Sequence, residues 1–138
     1  KVSRINIEDV SRIRFKNKTS RFMSHWTHKL IRDKVERRCE MEEVLLVHND
    51  SAYRSQRCSH CGFVLKSNRK DKDFSCSNCG FQANADFNAA CNHQQDLFVL
   101  PSRDLRALKI NVKKGFFWNS EGIVDSSGEE IIVPLRKK

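Results

Sequence analysis

Apolar and polar positions alternate over residues 2–8 (VSRINIE), with Val2, Ile5 and Ile7 on the apolar phase, which predicts a short strand. Residues 9–21 are basic and weakly patterned, which predicts a loop. A helix is predicted from about Ser20, whose hydroxyl suits an N-cap. Phe22, Trp26, Leu30, Asp33 and Arg37 mark its successive turns, and Trp26, Leu30, Ile31 and Val35 give it a narrow apolar stripe. Residues 43–48 (EVLLVH) form a continuous apolar run, the pattern of a buried strand. Strand, helix, strand in this order predicts an α/β layer with a crossover helix, provided the two strands are parallel neighbours.

Residues 51–83 break this pattern and carry four cysteines. A second helix is predicted over 84–94, with Asn84 as its N-cap and Ala85, Phe87, Ala89, Ala90 and Cys91 available for packing. Beyond residue 96 the texture changes to short β-like runs at 107–112, 116–118, 123–124 and 131–133. Ser126-Ser127-Gly128 is a hairpin signal among them. The segment 96–138 reads as a small β appendage ending in Arg136, Lys137 and Lys138.

The cysteines carry the sharpest chemistry. Cys58-Ser59-His60-Cys61-Gly62-Phe63 recurs 18 residues later as Cys76-Ser77-Asn78-Cys79-Gly80-Phe81. Thiolates two residues apart on a tight turn both reach one metal ion, and two such turns complete a tetrahedron with Zn–S near about 2.3 Å. Gly62 and Gly80 supply the positive φ that closes each turn. The 14-residue spacer between the pairs is near the structural-zinc range. The pattern predicts a zinc ribbon, set against iron–sulfur or redox alternatives. Four thiolates close the site, so it is structural, and His60 is expected to be exposed rather than a ligand. Phe63, Phe74 and Phe81 are expected to form the ribbon's small core, with base stacking as the lesser alternative. Cys39 and Cys91 stand outside the pairs and read as small buried residues.

Paired metal-type cysteines and the lack of an apolar leader predict a reducing compartment, cytoplasm or nucleus. No run is long and apolar enough for a membrane helix. Net charge is +9, but residues 1–40 carry 12 Lys/Arg against 5 Asp/Glu, while 41–138 carry 14 against 12. A basic half beside a near-neutral half suits a polyanion such as nucleic acid; a solvated helix face gives the same count.

The flanks of the ribbon carry a resemblance. Upstream lies Ile5-Asn6-Ile7-Glu8-Asp9-Val10, and before the first cysteine Ser51-Ala52-Tyr53-Arg54-Ser55-Gln56-Arg57. Downstream is Gln82-Ala83-Asn84-Ala85-Asp86-Phe87-Asn88-Ala89-Ala90. This order resembles the C-terminal part of the RuvC-like nucleases among RNA-guided effectors: the transposon-encoded TnpB proteins, their Fanzor relatives and the type V CRISPR effectors. It covers residues 4–92. The resemblance implies a partial RNase H-like (RuvC) layer with an inserted Cys₄ zinc ribbon. Its segments would be 1–50, the ribbon 51–83, a RuvC-like helix 84–95 and the tail 96–138.

By the same resemblance, Glu8 and Asp86 would be the second and third catalytic acids, holding Mg²⁺ for phosphodiester hydrolysis. Asn88 would support the start of the helix. Arg12, Arg14, Lys16, Lys18 and Arg21, with Arg54 and Arg57, would contact nucleic acid; Arg54 or Arg57 would reach the scissile phosphate, set against a surface arginine beside the ribbon as the alternative. Guide RNA and target DNA would be the partners, through a full-length protein that is cytoplasmic in a prokaryote or nuclear in a eukaryote. The ribbon would act as a lid or loading element for single-stranded DNA.

The family's first aspartate has no counterpart here. Only seven residues precede Glu8 and none is acidic, and the chain opens on Lys1 rather than Met. The chain is therefore expected to be the C-terminal piece of a longer nuclease, inactive alone. A non-catalytic zinc-ribbon nucleic-acid-binding protein, or a decayed nuclease, is the alternative.

Overall fold

The computed structural model describes residues 2–9, 21–100 and 110–131, with the backbone alone for 21–26. Two compact units result, residues 1–51 and 52–138.

In the first unit, β1 (Arg4–Glu8) and β2 (Leu45–Asn49) pair in parallel, with Arg4 opposite Leu45 and Glu8 opposite Asn49. Parallel neighbours need a long crossover, and α1 (Arg21–Met41) supplies it. The amide of Asp9 donates to the Asn49 carbonyl at 2.8 Å and carries the pairing one residue further. The strand–helix–strand expectation is met.

Two details differ from the sequence reading. The run 43–48 is not a buried strand: Leu45 is 59% exposed, because β1 is the only strand beside β2 among the described residues. On α1, Leu30 and Ile31 are exposed, and among the described side chains of the helix the one that buries is Cys39. Glu43, at φ 53°, ends the turn after α1, and the Val44 amide donates to the Cys39 carbonyl at 2.9 Å. The predicted Ser20 cap and the loop before it lie outside the described residues, as does the side chain of Trp26.

Among its described residues the second unit holds two antiparallel three-stranded sheets. One has the order β4 (Arg69–Lys70), β5 (Asp73–Ser75), β6 (Gln82–Asn84). The other has the order β3 (Phe63–Val64), β7 (Phe116–Trp118), β8 (Ile123–Asp125). Helix α2 (Ala85–Gln94) follows β6 without a loop. β4 and β5 are joined by Asp71 and Lys72, and Asp71 takes φ 52°, a conformation that tight hairpin turns require and aspartate tolerates.

The tail is not a separate appendage. β7 pairs with β3, Phe116 opposite Val64 and Phe117 opposite Phe63, so the ribbon's first strand and the tail share one sheet. Val64, Ile110, Phe116, Trp118 and Ile123 form one buried cluster. Phe63, Phe74 and Ala85 pack with Cys58 and Cys76 in a second. The predicted turn is present: Gly128 sits at φ 93°, and the Asp125 carboxylate accepts from the Ser127 and Glu129 amides. The Ser127 hydroxyl and these amides hold the Asp125 carboxyl below its ordinary range. The runs at 107–112 and 131–133 fall mostly outside the described residues, and the basic terminus 136–138 wholly so.

Candidate metal centre and its flanks

Each CxxC pair folds as a knuckle closed by the same two backbone bonds. The Cys58 amide donates to the Phe63 carbonyl at 2.8 Å, and the Gly62 amide to the Cys58 carbonyl at 2.9 Å. The Cys76 amide donates to Phe81 at 2.8 Å, and Gly80 to Cys76 at 2.9 Å. Gly62 and Gly80 adopt φ 82° and 74°, the left-handed region the turns demand.

The knuckles bring four sulfurs together. Each offers one ligand atom, and all four lie within 4.8 Å of one another. Cys58 Sγ is 3.7 Å from Cys79 Sγ, and Cys61 Sγ is 3.6 Å from Cys76 Sγ. A tetrahedron with Zn–S of about 2.3 Å has edges of about 3.8 Å, so the donor set fits zinc in number, type and span. Burial pushes the Cys58 thiol up to about 12 and raises Cys76 as well. Burial also acts upward on Cys61, but the Phe63 amide and Asn78 outweigh it and hold that thiol below its ordinary value. A metal ion therefore displaces protons as it binds.

His60 is exposed and outside the donor set, and its ring stacks on Phe81 with centroids 5.8 Å apart. Phe63 and Phe74 are buried and Phe81 half-buried, as a ribbon core requires.

The rest of the predicted site divides between the units. Glu8 ends β1 in the first unit and is exposed. Asp86 stands in the first turn of α2 in the second and is exposed. Asn84 caps this helix as predicted, its Oδ1 accepting from the amides of Asp86 and Phe87 at 2.9 and 3.2 Å. Asp86 also accepts from Arg69 Nη2 at 3.0 Å, a partner the sequence did not signal.

Arg12, Arg14, Lys16 and Lys18 lie outside the described residues, and of Arg21 only the backbone is described. Arg54 and Arg57 do not present their charge outward. They are 7% and 4% exposed. Arg54 Nη1 donates to the carbonyl of Asn92, and its guanidinium lies 5.4 Å from the Trp118 ring. Arg57 donates to Trp118 O at 2.7 Å, Asn92 Oδ1 at 2.6 Å and Gln95 Oε1 at 2.7 Å. Burial draws its guanidinium down to about 10. These two arginines fill a carbonyl-rich pocket, which corrects the expectation that they face a phosphate.

The packing face of α2 is also corrected. Phe87 is 62% exposed, and apart from Ala85 the residues of α2 that bury are Asn88 and Asn92, both at 0%. Asn88 Oδ1 accepts from the Ser59 amide at 2.9 Å, and its Nδ2 donates to Arg57 O at 2.8 Å. Asn92 Nδ2 donates to Arg54 O at 2.9 Å and Arg57 O at 2.7 Å. Asn88 thus ties the helix to the first knuckle rather than supporting only its own helix start.

A mixed α/β chain with a four-cysteine ribbon feeding an Asp-bearing helix defines a class that comparison with known proteins narrows. Residues 28–93 match the model of the Cas12f1-like TNB domain. The chain is 39% identical over 89 residues to the CRISPR-associated endodeoxyribonuclease Cas12f1 of Sulfoacidibacillus thermotolerans, covering 64% of this chain and 21% of that protein. It is 32% identical over 63 residues to the Cas12f1 of Syntrophomonas palmitatica, covering 45% of this chain and 13% of the relative. The stretch these matches share is similar to a Cas12f1-like region. The chain spans about a fifth or less of the length of these relatives. No described helix is long and apolar enough to cross a membrane.

Proposed function

We propose that this chain is the C-terminal part of an RNA-guided DNA endonuclease, contributing Glu8 and Asp86 to a RuvC-type site and a zinc ribbon inserted between them. The observation that carries the reading is the position of Asp86. It sits exposed on a capped first helical turn, directly after a ribbon strand, inside a Cas12f1-like region.

The exposed apolar residues of the first unit support it. Ile5 and Leu45 on the two strands and Leu30 and Ile31 on α1 suit a sheet and helix layer continued by other parts of a larger nuclease domain. Zinc held by Cys58, Cys61, Cys76 and Cys79 fills a closed structural site with no open coordination position. Magnesium, held by carboxylates such as Glu8 and Asp86, supplies water activation and leaving-group stabilisation in phosphodiester hydrolysis. The chain's own contribution is to place one carboxylate at a strand end and another on a helix start that the ribbon anchors. Guide RNA and target DNA are the partners, with base pairing supplying sequence recognition and the protein supplying backbone contacts and chemistry. Exposed Lys66, Lys70 and Lys72 of the ribbon are available for phosphate contact.

The test is substitution in the intact nuclease. Glu8→Ala and Asp86→Ala should each abolish cleavage while guide-directed DNA binding persists. Cleavage that survives either change overturns the assignment. The 138-residue chain alone, lacking a further acidic residue upstream, should not cut DNA with Mg²⁺.

A further inference from the structure

We infer that Asn88 is a positioning residue that couples the zinc site to Asp86, so that metal occupancy of the four cysteines sets how firmly the first turn of α2 is held. The functional weight of the inference rests on the role proposed for Asp86; the coupling itself does not.

The two halves of the cysteine site each grip α2, and they grip it at different places. The first knuckle holds it through side-chain amides. Asn88 accepts from the amide of Ser59, the residue after Cys58, and donates to the carbonyl of Arg57, the residue before it. Gln95 Nε2, one residue past the helix end, donates to the Ser59 carbonyl at 2.9 Å. The backbone on either side of Cys58 is therefore fixed by groups on or next to one helix.

The hairpin that leads into the second knuckle holds the other end. The Ala85 amide donates to Lys72 O at 2.7 Å, and Arg69 on β4 bonds Asp86 at 3.0 Å. The second knuckle is itself braced to this hairpin, because Asn68 Oδ1 accepts from the Ser77 amide at 3.1 Å and the Ser77 hydroxyl at 3.0 Å.

A metal bound by one sulfur pair from each knuckle locks these two grips at a fixed separation. The start of α2 spans them. Buried amides bonded through both polar atoms, such as Asn88, transmit such a constraint because any shift of the knuckle leaves a donor or acceptor unsatisfied. The linkage is reciprocal: zinc stabilises the helix start, and the helix start raises zinc affinity. Polar groups around a metal site commonly contribute tenfold or more to metal affinity.

The experiment uses the zinc-loaded 138-residue chain and two readouts: zinc affinity by chelator competition and amide hydrogen exchange over residues 86–90. Asn88→Leu keeps the side-chain size and removes both bonds. It should weaken zinc about tenfold and accelerate exchange over 86–90. Ala90→Gly is the control, since Ala90 is exposed and touches neither knuckle bond. It should accelerate exchange through helix propensity and, by the same linkage, weaken zinc far less than Asn88→Leu does, since both knuckle bonds remain. If Asn88→Leu does not fold, Gln95→Ala removes the bond to Ser59, together with the Oε1 that accepts from Arg57, and should weaken zinc in the same direction.

Unchanged zinc affinity in every folded variant that lacks a knuckle bond overturns the coupling. So does equal weakening by Ala90→Gly. If zinc affinity and exchange respond as expected but Asp86→Ala leaves cleavage by the intact nuclease unchanged, the coupling stands and the catalytic reading of Asp86 loses its support.

Discussion

Asp86, on the first turn of α2, shares its carboxylate with Arg69 on strand β4 at 3.0 Å. The pair is largely exposed, with Asp86 73% and Arg69 32% accessible. Exposed ion pairs contribute little to stability, typically below about 1 kcal/mol. Arg69→Gln is therefore expected to change the unfolding free energy by less than about 1 kcal/mol, measured by denaturant titration of the zinc-loaded chain. A loss well above that would mean that the pair is structural.

The two knuckle glycines share a backbone conformation but not an environment. At Gly80 an added Cβ meets no atom, whereas at Gly62 it collides with Asn119 Oδ1 and crowds Arg57 and the Trp118 carbonyl. Forcing alanine into the left-handed region costs about 1–2 kcal/mol. Gly80→Ala is expected to lose about that much and keep its metal. Gly62→Ala is expected to lose more, because the same strain is joined by crowding of the buried Arg57 and the Trp118 backbone carbonyl. Thermal unfolding of the two zinc-loaded variants, compared side by side, measures the difference.

Phe116 is fully buried on β7, in the cluster with Val64 and Trp118, outside the Cas12f1-like match. Its removal leaves a cavity under the ribbon's own strand. Phe116→Ala is expected to cost about 3–5 kcal/mol and to loosen β3 as well as the tail, read by hydrogen exchange at Phe63 and Val64. Destabilisation confined to the tail would contradict the shared sheet.

Metal binding and acid should oppose one another. Without metal, burial raises Cys58 from an ordinary 9.0 to about 12. Its neutral form then favours the folded state fully below about pH 9, and that contribution fades as pH climbs toward 12. Zinc requires the thiolate, so loading releases protons and the sign reverses. Apparent zinc affinity is expected to rise at least about tenfold per pH unit between about pH 6 and 8, measured by chelator competition. A flat profile would contradict thiolate ligation.

The ribbon was legible in the sequence because a CxxCGF turn repeated within a short span dictates local geometry. The Asn84 cap and the parallel strand–helix–strand unit were legible for the same local reasons. The tail was not, since strands of three residues give almost no periodicity and β7 finds its partner more than 50 residues upstream. Arg54 and Arg57 misled because side-chain charge does not reveal direction; their carbonyl partners come from α2, its C-cap and Trp118, all distant in sequence. Asn92 escaped notice, and Asn88 was read only as support for the helix start, because a packing face was sought among apolar residues. Here the buried face joins a helix to loop backbone, whose free amide and carbonyls call for amide side chains.

We propose that Glu8 and Asp86 serve one divalent-metal centre in the intact nuclease. Replacing Mg²⁺ by Fe²⁺ and generating hydroxyl radicals cuts a protein backbone where the metal sits. The account predicts cuts at residues near both 8 and 86, suppressed by excess Mg²⁺ and reduced at both places by Asp86→Ala. Cutting near only one of them, or near neither, would contradict it.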